Sequence, residues 1–169
     1  MTEGPGREIT DPRALLIGYL DACRRALWDK LSGLDEEELG TARVPSAWTP
    51  AQLVWHLTLM ERRWLVWGFR AEPVDGPWDD HDADGRWTLP EGITVAELRR
   101  RYWEQAERSR QAIGDAELTE RAAIGGRFDG TAETPPTLGW ILLHLLQEYA
   151  RHLGHLDVSR ELADGTVGE

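Results

Sequence analysis

Lysine and cysteine are almost missing from this chain: Lys30 and Cys23 each stand alone among 169 residues. A single cysteine closes no intrachain disulfide, which fits a reducing compartment and points to the cytoplasm. Residues 1–11 carry Glu3 and Glu8 and no apolar h-region, so no export signal is read there. No run approaches the roughly 20 apolar residues that cross a bilayer. Positive charge is scarce too: 19 Lys and Arg face 30 Asp and Glu, a formal charge of −11. So acidic a chain is a poor partner for nucleic-acid phosphates or an anionic membrane. The basic residues are 18 Arg against one Lys, which reads as the codon bias of a GC-rich bacterial genome. No GxGxxG, P-loop, GxSxG or CxxC is present, so nucleotide binding and serine hydrolysis have no support.

What remains is ordinary globular composition, 41% hydrophobic and 29% charged, with nine tryptophans. The length suits one domain that can bury a core without staples. Four long segments carry helix punctuation. Asp11-Pro12 opens the first, which runs to about Ser32-Gly33 with Leu15, Leu16, Tyr19, Leu20, Cys23, Leu27 and Leu31 on one face. Residues 36–39 add a short turn within an acidic, solvated run. Thr49 caps the second, with Pro50 at N1 and Trp48 as a hydrophobic staple, and it extends to about Phe69. Thr94 to Glu97 forms a capping-box pattern for the third, ending near Gly114. The fourth starts at Thr137 and ends near Ala163, before Asp164-Gly165. The long connection 71–92 is expected to be functional or partly disordered. In the second connection, 114–136, residues 122–128 are a candidate short strand. The sum is an all-α fold, a four-helix bundle with long connections.

The chemistry concentrates on the fourth helix. At about 100° per residue, His144, Glu148, His152 and His155 share a stripe roughly 80° wide. Flanking Ile141, Leu145 and Leu146 turn that stripe toward the interior, where each polar group needs a partner. A metal ion satisfies several at once. Glu148 and His152, at i and i+4, can chelate one ion. His144 and His152 are roughly 12 Å apart along the axis, too far to share it. His155, one turn past His152, is the rival to Glu148. His56, between Trp55 and Leu57 on the second helix, is the candidate third ligand. Two His and one carboxylate with an open position for water or thiolate is a catalytic arrangement. It is also the facial triad of non-haem iron, so the donors leave the metal open.

The remaining candidates have plainer readings. His144 and His155 suit the second shell, where His155 could orient a ligand or bound water. His81, among Asp79, Asp80 and Asp82, reads as a solvated loop residue. Cys23 reads as a buried structural thiol. Trp28, Trp55, Trp64, Trp103 and Trp140 read mostly as core, whereas Trp78 and Trp87 suit a pocket mouth or a dimer contact.

Trp48-Thr49-Pro50-Ala51-Gln52-Leu53-Val54-Trp55-His56-Leu57 resembles the second-helix signature of the DinB/YfiT-like metal-binding superfamily. His144 to His155, continuing to Asp164-Gly165, resembles its fourth-helix signature. The resemblance covers about residues 11–165 and implies a four-helix bundle, often dimeric, holding Zn or Ni through one ligand from helix two and two from helix four. Glu148 stands where many relatives have histidine, which looks like the branch with the N-terminal domain of mycothiol-dependent maleylpyruvate isomerase. That branch's layout implies His56, Glu148 and His152 as ligands. The isomerase's additional C-terminal domain has no counterpart in these residues, so its substrate is not carried over. His155 stands where many relatives have Gln, and His155, His144 and Gln52 are the second-shell candidates.

The leading expectation is therefore a metal-dependent S-transferase or isomerase joining a low-molecular-weight thiol such as mycothiol to a small electrophile. Zinc is the first-choice ion, with nickel, iron or manganese as alternatives. The rival readings are a metal-dependent small-molecule hydrolase and a non-enzymatic metal-stabilised stress or interaction protein. A homodimer is a family expectation.

Overall fold

The computed structural model describes residues 3–131 and 134–168. Its helices begin where the capping residues stand. Asp11 accepts from the Arg13 and Ala14 amides and opens α1 (Pro12–Leu31), and Asp35 opens the one-turn α2 (Glu36–Leu39). Thr49 and Gln52 close a reciprocal capping box at the head of α3 (Pro50–Glu61). Thr94 and Thr137 cap α4 (Val95–Ile113) and α5 (Leu138–Asp164), and Gly165, in the left-handed region at φ 76°, ends α5.

The second long helix is not α-helical throughout. After Glu61 it continues without a break as a π-helical stretch, Arg62–Phe69. Such wide turns are rare and mark places where tertiary contacts outweigh local geometry.

α1 packs on α5, α3 packs on α4, and α3 meets α5 across the centre. Leu20, Leu27, Leu53, Leu57, Leu65, Leu138, Ile141 and Leu145 fill the core. An ion pair sits inside it. Arg24 Nε and Nη2 donate to Glu61 Oε1 and Oε2 at 2.8 and 2.5 Å, and Tyr149 donates to Oε1 at 2.6 Å. The Tyr102 and Tyr149 hydroxyls are 2.8 Å apart, and Arg24 and Arg110 both donate to Asp21. Burial pushes the Glu61 carboxyl up, but the charge and hydrogen bonds of Arg24 outweigh it and hold the group below its usual range. The network ties together α1, α3, α4 and α5.

Residues 122–128 form no strand, contrary to the expectation from sequence. Among the described residues the only β pairings are isolated bridges, His81 with Trp87 and Arg121 with Thr137. The segment's amides go instead to the end of the π-helical stretch: Ala123 N–H donates to Phe69 O at 2.9 Å and Arg127 N–H to Trp67 O at 3.1 Å. Gly126 permits this approach, because a Cβ there would lie 2.1 Å from Trp67 O. Trp140 is also not core. It is 51% exposed and stacks on His144.

Candidate metal centre

α3 and α5 run antiparallel, which brings the middle of one against the middle of the other. His56 comes from α3, and Glu148 and His152 come from successive turns of α5. One donor atom from each lies within 4.8 Å of the other two. His152 Nε2 is 3.4 Å from Glu148 Oε2, and the His56 and His152 rings lie 5.0 Å apart, nearly perpendicular. Burial, reinforced by the charges of His56, His155 and Arg151, pushes the His152 pKa down to about 3. The ring is thus neutral at pH 7, as a ligand must be. Its Nδ1 is buried with no hydrogen-bond partner. A buried neutral imidazole short of one partner, beside a carboxylate and a second imidazole, fits a divalent cation.

Sequence reasoning missed the residue that fixes His56. Asp80, in the acidic loop where His81 was read as solvated, is fully buried. His56 Nδ1–H donates to Asp80 Oδ2 at 2.8 Å, and Arg63 grips the same carboxylate through Nη1 and Nη2 at 2.7 and 3.0 Å. Burial raises the Asp80 pKa, but hydrogen bonds from His56 and Arg63 and the Arg63 charge bring it well below the carboxylate range. An ionised carboxylate only accepts, so in the neutral His56 ring the proton sits on Nδ1 and the Nε2 lone pair is left for a ligand. The donor atoms of His56, Asp80 and His81 likewise lie within 4.8 Å of one another. Arg63 already occupies both Asp80 oxygens, however, and its charge repels a cation there. The first group is the better one.

The 71–92 connection closes over this layer. Trp87 stacks on His56 at 4.5 Å and 17° and lies 5.3 Å from His152, and Trp48 flanks it at 6.2 Å. Trp55 Nε1 donates to Asp79 O, and Gln52 Nε2 donates to Trp87 O at 2.9 Å. Residues 15–165 match the mycothiol-S-transferase family. The chain belongs to that family.

Among solved structures, this mycothiol-S-transferase family member resembles the crystal structure of a conserved protein from Enterococcus faecalis, with a TM-score of 0.55 and 16% identity. The match covers 94% of this chain and 100% of that one, and it supports the shared fold alone. No curated protein sequence matches the chain. Among the described residues, no helix is long and apolar enough to cross a membrane.

The other candidates spread out. The His155 ring lies 5.4 Å from His152 and 5.9 Å from Trp48, beside the donor group but outside it. His144 stands two turns away, between Trp64 and Trp140 at 4.4 and 5.2 Å. Gln52 caps α3 and tethers the loop. His81 is half-buried, its Nδ1 3.0 Å from Asp80 Oδ1 but without hydrogen-bond geometry. Cys23 lies elsewhere, half-buried in a cleft of about 1010 Å³ between α1 and α5, where burial pushes its thiol up.

Proposed function

We propose that this chain is a metal-dependent S-transferase that joins a mycothiol-type low-molecular-weight thiol to a small electrophile, with His56, Glu148 and His152 holding one divalent ion. The convergence of those three donors beneath an aromatic cover, in a chain of this family, carries the reading. A dication there, zinc first, lowers the pKa of a thiol placed beside it. In the reaction the thiol sulfur forms a bond to the electrophilic carbon, the leaving group departs with its bonding pair, and the thiol proton is released.

The chain's own residues prepare this step. Asp80 fixes the tautomer and direction of His56. His152 stays neutral through burial, and Trp48 and Trp87 shield the layer from water, so charge there is screened less than at the surface. Two His and one Glu leave a position open, which separates this arrangement from a closed structural site.

The test is metal content followed by thiol conjugation. About one ion per chain, with mycothiol-dependent loss of a chromogenic electrophile, supports the proposal. One ion with thiol-independent hydrolysis points to the rival hydrolase, and no bound ion after reconstitution refutes both.

A further inference from the structure

The 71–92 connection also covers a second layer, built around the Arg127 guanidinium. Arg127 Cζ lies 4.2 Å from the Trp64 ring centroid and 5.3 Å from that of Trp78. Among the described residues its buried Nη1 has no hydrogen-bond partner and no carboxylate pairs with the guanidinium. Among its neighbours Arg63 holds Asp80, whereas Arg62 donates to Gly76 O and keeps its own Nε buried without a partner among the described residues. Burial disfavours the Arg127 cation, and the like charge of Arg63 adds to that. A half-desolvated guanidinium beside a like charge, with a donor that no described residue uses, suits an incoming anion.

We propose that Arg127, framed by Trp64 and Trp78, is a carboxylate-binding subsite that receives the acidic group of the electrophile, a role that rests on the thiol-transfer reading above. Aromatic faces hold the guanidinium plane, and its planar fork suits a carboxylate better than a point anion. Trp64 follows His56 by eight residues on one continuous helix, and its neighbour His144 precedes His152 by eight. The subsite thus lies roughly 12 Å along the bundle from the metal layer. Trp87 covers one layer and Trp78 the other, so a single loop spans both. The fitting substrate carries its carboxylate several bonds from the reacting carbon.

Calorimetric titration of the metal-free full-length chain with phenylacetate and its neutral analogue phenylacetamide tests the subsite. The wild-type chain is expected to bind the acid about tenfold more tightly than the amide, as a charge-assisted pair allows. R127Q should abolish that preference and R127K should keep part of it. R108Q, at an exposed arginine on α4, should leave it whole. Equal affinities in the wild type, or an undiminished preference in R127Q, overturn the proposal. Should R127Q fail to fold, the Arg127 Nε–Hε resonance of the wild-type chain decides: it shifts with the acid and not the amide, and the lack of an acid-specific shift overturns the subsite. Neither metal nor thiol is present, so these outcomes are independent of whether thiol transfer itself succeeds or fails.

Discussion

Replacing Asp80 by Asn keeps the side-chain volume but removes the charge that orders the cover over the metal layer. In the native chain this carboxylate accepts from His56 Nδ1 at 2.8 Å and from both Arg63 Nη atoms. The amide has one acceptor oxygen for three donors and turns an N–H₂ toward one of them. His56 then loses the partner that fixes its proton on Nδ1. Loss of such an outer carboxylate typically weakens metal binding about 10–100-fold, or about 1.4–2.7 kcal/mol. A separate cost falls on the metal-free fold, because Arg63 remains buried beside a neutral group. Breaking a buried pair costs about 3–5 kcal/mol when a partner is deleted outright, and the isosteric amide should cost less. Competition against a chromophoric zinc chelator reads the first effect, and urea unfolding of the metal-free chain reads the second. Asp79→Asn, at an exposed neighbour, is the control and should change neither. Zinc affinity in Asp80→Asn within about twofold of wild type would refute the argument that this carboxylate aims His56.

Three further outcomes follow from the same geometry. His152→Ala should abolish stoichiometric metal binding while His155→Ala and His81→Ala retain it, as read by elemental mass spectrometry; equal metal content in all three would sink the ligand assignment. Because the folded-state pKa of His152 is pushed down to about 3, the unfolded chain binds the extra proton as pH falls below the ordinary histidine value of about 6.5. The stability of the metal-free chain is therefore greatest above that value and falls from about pH 6.5 down to about pH 3, by at most about 1.4 kcal/mol per pH unit from this group; chemical denaturation over the upper part of that range should show the slope, and His152→Gln should flatten it. Glu61→Ala leaves Arg24 buried without its carboxylate and should cost about 3–5 kcal/mol in urea unfolding, and a loss under about 1 kcal/mol would contradict the reading of the core pair.

The helices were legible because their ends obey local rules. Asp11, Thr49, Thr94 and Thr137 all cap helices in the structure, and none of those interactions needs a distant partner. The stripe on α5 was legible for the same reason, since helix periodicity alone aligns Glu148 with His152. Asp80 was not. An acidic loop looks solvated, and only docking against Arg63 and His56 makes burial favourable. One signal existed: Arg63 follows His56 by seven residues, so it shares the inward face and demands a buried carboxylate. The π-helical stretch carries no marker in its own residues, because its widened turns depend on what docks beside them. Residues 122–128 were a candidate strand, but Gly126 lets the segment lie close against the end of the π-helical stretch, whose carbonyls take its amides.

The ion pair of Arg24 and Glu61 also bears on how the molecule assembles. Its hydrogen-bonded groups come from all four long helices, so no pair of helices satisfies them alone. A partly docked bundle would strip water from a guanidinium and a carboxylate while withholding some of their partners, and in a dry interior that is costly. Half-formed states are thereby raised above both the native and the unfolded chain. A polar cluster in the middle of an apolar core thus acts as an interlock, making the four helices come together, and come apart, as one.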